Sequence, residues 1–140
     1  MRFLKWVMLS VVTLLLVVWI FIRVIASGIN ETIVYTEHDF LRYHSLTDKE
    51  IENTPRITKN YYFVLHPGDG YSPSNTIFFK GVTSIESLEN YLKKLGYIRE
   101  RRNMGEKAIW SKPGQPNGDI FYLYLNRATG EAELTKVINN

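Results

Sequence analysis

The sequence predicts an α+β protein, with an N-terminal single transmembrane helix followed by an antiparallel β-sheet of about five to seven strands packed on one principal helix at about 84–95. Three observations carry this. An uncharged run from Trp6 to Ile22 reads WVMLSVVTLLLVVWIFI. Apolar residues recur at helical spacing between Ile85 and Leu95. After Gly96 the apolar period changes to two.

The apolar run is long enough to cross a bilayer, whose hydrocarbon core takes about 17 to 25 helical residues. Arg2 and Lys5 flank it before, and Arg23 after. Lys5 and Arg23 can snorkel to the headgroups. Trp6 and Trp19 lie towards the ends, where indoles favour the interface. A helix end is expected near Ser27-Gly28. The rival is a cleaved signal peptide with Val24-Ile25-Ala26 at the cleavage point. A signal core of about 7 to 15 residues is shorter than this run, and Arg23 falls where a cleavage region is uncharged. The basic residues before the run favour a cytoplasmic N-terminus and an exported domain. The chain then divides into a short cytoplasmic tail (1–5), a transmembrane signal anchor (6–26), a linker with a first extended segment (27–36) and an exported α+β domain (37–140). The expected location is a bacterial cytoplasmic membrane, with the domain in the periplasm or outside.

Charge follows the same division. The chain has 17 Lys and Arg against 14 Asp and Glu. Arg2, Lys5 and Arg23 belong to the anchor, and every acidic residue lies beyond residue 30. The rest is therefore balanced, 14 against 14. The basic excess is a topology signal, which removes the electrostatic case for a nucleic-acid partner. The absence of cysteine excludes a disulfide framework.

Along the domain, Ile33-Val34-Tyr35 is β-prone. Thr47 begins a short helix as N-cap, with Glu50 as its capping-box partner and an end before Pro55. Strands are expected at Tyr61–Leu65 and Thr76–Phe79, joined by the turn residues His66-Pro67-Gly68-Asp69-Gly70. The principal helix has Thr83 and Glu86 at capping-box spacing, a stripe of Ile85, Leu88, Tyr91, Leu92 and Leu95, and Gly96 as its stop. Tyr97–Arg102, Lys107–Lys112, Asp119–Asn126 and Glu131–Ile138 read as the strands of a meander.

No motif for chemistry emerges. His38, His44 and His66 lack the spacing of a zinc site, so no metal or cofactor is expected. There is no cysteine nucleophile, no GxSxG serine and no phosphate loop. The sequence therefore reads as a non-enzyme. Arg99, Arg101 and Arg102, with Lys93, Lys94 and Lys107, form the densest basic cluster. Alternation puts Arg99 and Arg101 on one face; they suit an anionic contact or simply charge an edge strand.

The aromatic rows carry the functional expectation. In the 119–126 strand, Phe121, Leu123 and Leu125 share one face, while Ile120, Tyr122 and Tyr124 share the other. One face packs on the helix. The opposite one carries Tyr122 and Tyr124, joined by Trp110 and by Tyr61 or Tyr62. Residues 31–59 either leave that face open or fold across it as a second layer. The expected partner-binding residues are thus Trp110, Tyr122, Tyr124, Arg99 and Arg101. The leading reading is a protein-binding module held in the bilayer through residues 6–26, in concrete form an immunity or inhibitor protein of a bacterial envelope toxin. The alternatives are an accessory subunit of a secretion or conjugation complex, and a small envelope hydrolase using loop His and Asp residues.

Overall fold

The computed structural model describes residues 1–28, 31–68 and 70–139. It divides into two units, Met1–Glu31 and Thr32–Asn140. The first is the helix α1 (Arg2–Gly28), whose Arg2–Ala26 stretch is long and apolar enough to cross a membrane. The two polar side chains within its uncharged Trp6–Ile22 run turn inward on the backbone. Ser10 Oγ donates to the Trp6 carbonyl and Thr13 Oγ1 to the Leu9 carbonyl, each at 2.9 Å. Neither hydroxyl would then face hydrocarbon unsatisfied.

The second unit is the α+β domain. Its elements are β1 (Ile33–Tyr35), α2 (Phe40–Leu46), α3 (Lys49–Glu52), β2 (Asn60–His66), β3 (Ser74–Lys80), α4 (Glu86–Lys94), β4 (Ile98–Met104), β5 (Lys107–Ser111), β6 (Ile120–Asn126) and β7 (Glu131–Val137). The seven strands form one antiparallel sheet in the order β1-β2-β3-β7-β6-β5-β4. The predicted meander holds for β4 to β7, and a second meander runs from β1 to β3. They join through β3 and β7, so α4 carries the chain from mid-sheet to the far edge.

Local chemistry explains the element ends, with two corrections to the expected caps. α4 closes as its glycine requires. Gly96 has φ +92°, its N–H donates to the Lys93 carbonyl, and the Tyr97 N–H reaches back to Leu92, both at 3.0 Å. Its start is different: Ile85 occupies the N-cap position without a side-chain cap, and the Glu86 N–H donates to Ser84 Oγ at 3.3 Å. The Thr83–Glu86 box is not formed. Nor is Thr47 the cap of α3. Asp48 is, accepting from the Glu50 N–H at 2.9 Å. Thr47 Oγ1 instead pairs with the Tyr35 hydroxyl at 2.9 Å. α2 has no counterpart in the sequence reading, because nothing in FLRYHSL announces a helix start.

One face of the sheet holds the core. Leu88 and Leu92 of α4 and Ile51 of α3 bury against Phe63, Ile77, Phe79, Phe121 and Leu134. Residues 36–59 cover this same face: Tyr35 is buried there, with Tyr43, Leu46 and Ile57 packed around it.

Two polar clusters fasten the 31–59 segment. In the first, the Lys136 ammonium contacts both oxygens of Asp48 at 3.0 Å, Glu50 at 3.4 Å and Asp119 at 3.5 Å. Buried Asn75 joins it, accepting from the Asp48 N–H at 2.8 Å and donating to the Tyr35 hydroxyl at 3.1 Å. In the second, Arg56 donates to Glu37 at 2.8 Å and lies over the Tyr61 ring at 5.1 Å. Tyr61 donates its hydroxyl to the other Glu37 oxygen at 2.8 Å. Burial pushes the Glu37 carboxyl upward, but the Tyr61 and Arg56 hydrogen bonds outweigh it and hold the group below the usual range.

Candidate functional site

With α4 and residues 36–59, which include α2 and α3, on one face, the other face of the sheet has no layer over it among the described residues. Register shows what it displays, because residues paired across adjacent strands point the same way. One row runs Tyr62, Phe78, Glu133, Tyr124 across β2, β3, β7 and β6. The next runs Val64, Thr76, Thr135, Tyr122, Ile109 and ends on β5. Beyond it lie His66, Ser74, Val137 and Ile120. The Tyr62 and Phe78 rings stack at 5.0 Å with planes 11° apart. Thr76 and Thr135 hydroxyls bond at 2.8 Å.

The face is aromatic but not greasy. Tyr62, Phe78, Tyr122 and Tyr124 are all half-buried by their neighbours. Tyr124 donates to Glu106 at 3.0 Å, and Lys107 pairs with Glu133. The Glu106 hydrogen bond is the chief reason the Tyr124 hydroxyl ionises less readily than an ordinary tyrosine. Lys107 offsets Glu133 while Glu106 keeps its charge, so the face offers flat aromatic area with polar tips and a slight acidic excess.

A shallow depression of about 440 Å³ lies at the β6–β7 end, floored by Ile120, Tyr122 and Val137 and walled by Tyr71 and Met104. A polar one of about 430 Å³ adjoins it, sharing Ile120 and Asn139 and lined by Glu100, Arg102 and Ser111.

The structure separates the five expected binding residues. Tyr122 and Tyr124 stand together on the open face. Trp110 does not join them. It pairs with Phe121, which places it on the core side, 2% exposed. Its indole N–H finds no hydrogen-bond partner among the described residues. Arg99 and Arg101 are exposed on the edge strand β4, where the register shifts between Arg99 and Asn103. Arg99 pairs with Trp110, away from the tyrosines. Arg102 is engaged by Glu100, whose carboxyl is lowered first by that hydrogen bond and then by one from Ser111. Tyr62, and not Tyr61, belongs to the open face. Phe78 was missed, although simple alternation within β3 would have found it.

The histidines do not converge. His38 and His44 are exposed, and His66 bonds Tyr71 and, at 2.8 Å, Thr32. Asp69 lies outside the described residues. Among the described residues no group of three His, Cys, Asp or Glu side chains is arranged to hold a metal ion.

Against known proteins, no family model matches this chain, no curated protein matches it, and no solved structure matches its fold.

Proposed function

We propose that this chain is a single-pass, membrane-anchored protein-binding module whose open sheet face takes a protein partner on the outer side of a bacterial cytoplasmic membrane. One observation supports this above the others. Every helix of the domain, with the 36–59 segment that follows the edge strand β1, packs on the same side of the sheet, leaving Tyr62, Phe78, Tyr122 and Tyr124 uncovered among the described residues. Tyrosine suits such a surface because it buries large area at low entropic cost and keeps a hydrogen-bonding tip. The Lys107–Glu133 pair and the Glu106 carboxylate beside it favour a protein surface over a polyanion. An inhibitor or immunity protein against an envelope toxin is the concrete form of this reading, since blocking an enzyme needs a complementary surface and no chemistry of its own.

The test is photocrosslinking in cells that make the full chain. A benzophenone amino acid replaces Tyr62 or Tyr124 on the open face, or Glu89 on α4. A single protein adduct from the first two positions and none from Glu89 is expected. No adduct, or the same adducts from all three, removes the reading.

A further inference from the structure

The short helix α2 carries an apolar pair that the fold leaves bare. Its Tyr43 ring packs on Phe63 at 5.3 Å and its Leu46 is packed against the core. Phe40 and Leu41 point outward, 68% and 81% exposed. Among the described residues of the domain, they alone of the exposed large apolar side chains are adjacent in sequence. Arg42 is the exposed cation beside them, and the two nearest carboxylates have hydrogen-bond partners within the fold. Arg42 is exposed and makes no ion pair among the described residues, and His38 and His44 are exposed beside it. Asp39 accepts from the Thr36 N–H at 3.2 Å, and Glu37 is held by Arg56 and Tyr61.

We propose that the Phe40–Leu41 tip of α2 inserts into the boundary between headgroups and acyl chains of the bilayer that carries this chain, with Arg42 against lipid phosphate. This rests on reading the N-terminal helix as membrane-spanning. Three considerations select lipid as the occupant. Two side chains offer far less than the roughly 800 Å² per partner of a stable protein interface. A bulky aromatic–aliphatic pair beside an exposed cation is the composition of an interfacial contact. And only residues 29–32 separate α1 from β1, a stretch that reaches about 14 Å when extended. Lipid is therefore the apolar phase at the highest effective concentration around this domain. The contact is distinct from the open sheet face, because α2 packs on the opposite side of the sheet.

The chain lacks cysteine, so each introduced thiol is unique. Leu15→Cys, Leu41→Cys and Asn103→Cys, each in the full chain, are labelled with an environment-sensitive fluorophore. They are reconstituted into phosphatidylethanolamine–phosphatidylglycerol vesicles containing spin-labelled lipid. Position 103 lies on β4, at the opposite sheet edge from β1. The expected result is quenching at 15 by deep spin labels, quenching with a blue shift at 41 by shallow ones, and a water-like signal at 103. Adding Phe40→Ser should reduce the quenching at 41. Quenching at 15 with position 41 matching 103 overturns this proposal and spares the anchor reading. No quenching at 15 overturns the anchor reading, and this proposal with it. A blue shift at 41 that appears only when envelope protein extract is added also overturns it, because the occupant is then protein.

Discussion

Lys136 shows how much of this domain hangs on single side chains. Its side chain is 7% exposed and its ammonium faces three carboxylates from two distant stretches of chain. Burial, the largest influence, pulls its pKa down, but the Asp48 hydrogen bonds and the charges of Asp48, Glu50 and Asp119 outweigh it and raise the value above the ordinary 10.5. A raised pKa means the folded state holds this proton more tightly. The stabilisation is therefore complete below about pH 10.5 and fades as pH rises through the folded value. Lys136→Met removes the cation and leaves three acids facing one another. It should cost about 3 kcal/mol at neutral pH. Tyr91, raised to about 12 first by burial and then by Glu50, also loses its share in alkali. The variant should thus retain a shallower alkaline decline than the parent, and unfolding in mild detergent from pH 8 to 11 measures both. A variant as stable as the parent at pH 7 would show the cluster to be ornamental.

The elements were legible where their signals are local. The α4 stripe, the Gly96 stop and the strands after it all follow from spacing within a few residues. What failed was information that crosses elements. Alternation gives the two faces of β5 and of β6 separately, but the long link at 112–119 hides which face of one matches which face of the other. Alternation therefore groups Trp110 with Tyr122, whereas in the fold it is buried beside Phe121. The adjacency of β3 and β7 and the contact of Asp48 with Lys136, 88 residues apart, are equally invisible to local patterns. The cap of α3 moved from Thr47 to Asp48 because the latter's carboxylate also meets Lys136. α2 escaped notice since Phe40 and Leu41 face outward and spoil its periodicity.

The two sheet faces give this scale its prediction. Leu92→Ala should cost about 2 to 5 kcal/mol, because the side chain is fully buried. Tyr122→Ser with Tyr124→Ser should cost less, yet remove the crosslinked partner. If the tyrosine pair costs as much as Leu92→Ala and the partner persists, the open face is structural.

On the scale of the whole molecule, the question is whether α1 only holds the domain at a surface or takes part in recognition. Its circumference is uniform: apart from Ser10 and Thr13, which satisfy themselves on their own backbone, the run from Trp6 to Ile22 presents hydrocarbon on every side. Specific pairing of helices in lipid relies on small-residue faces or polar contacts between helices, and this run has no GxxxG pattern. The domain, in contrast, carries a differentiated surface. Replacing residues 6–22 with an unrelated apolar span of equal length, keeping Arg2, Lys5 and Arg23, should leave adduct formation at Tyr62 and Tyr124 unchanged. Deleting residues 2–26 should weaken it by lowering local concentration, without abolishing it at high expression. An accessory subunit of a membrane complex predicts the reverse, with the substituted span abolishing the adducts even though the protein remains in the membrane. Alkaline extraction of the membranes, run beside the crosslinking, establishes that the substituted chain is still inserted. Loss of adducts from an inserted chain would move recognition from the sheet into the bilayer.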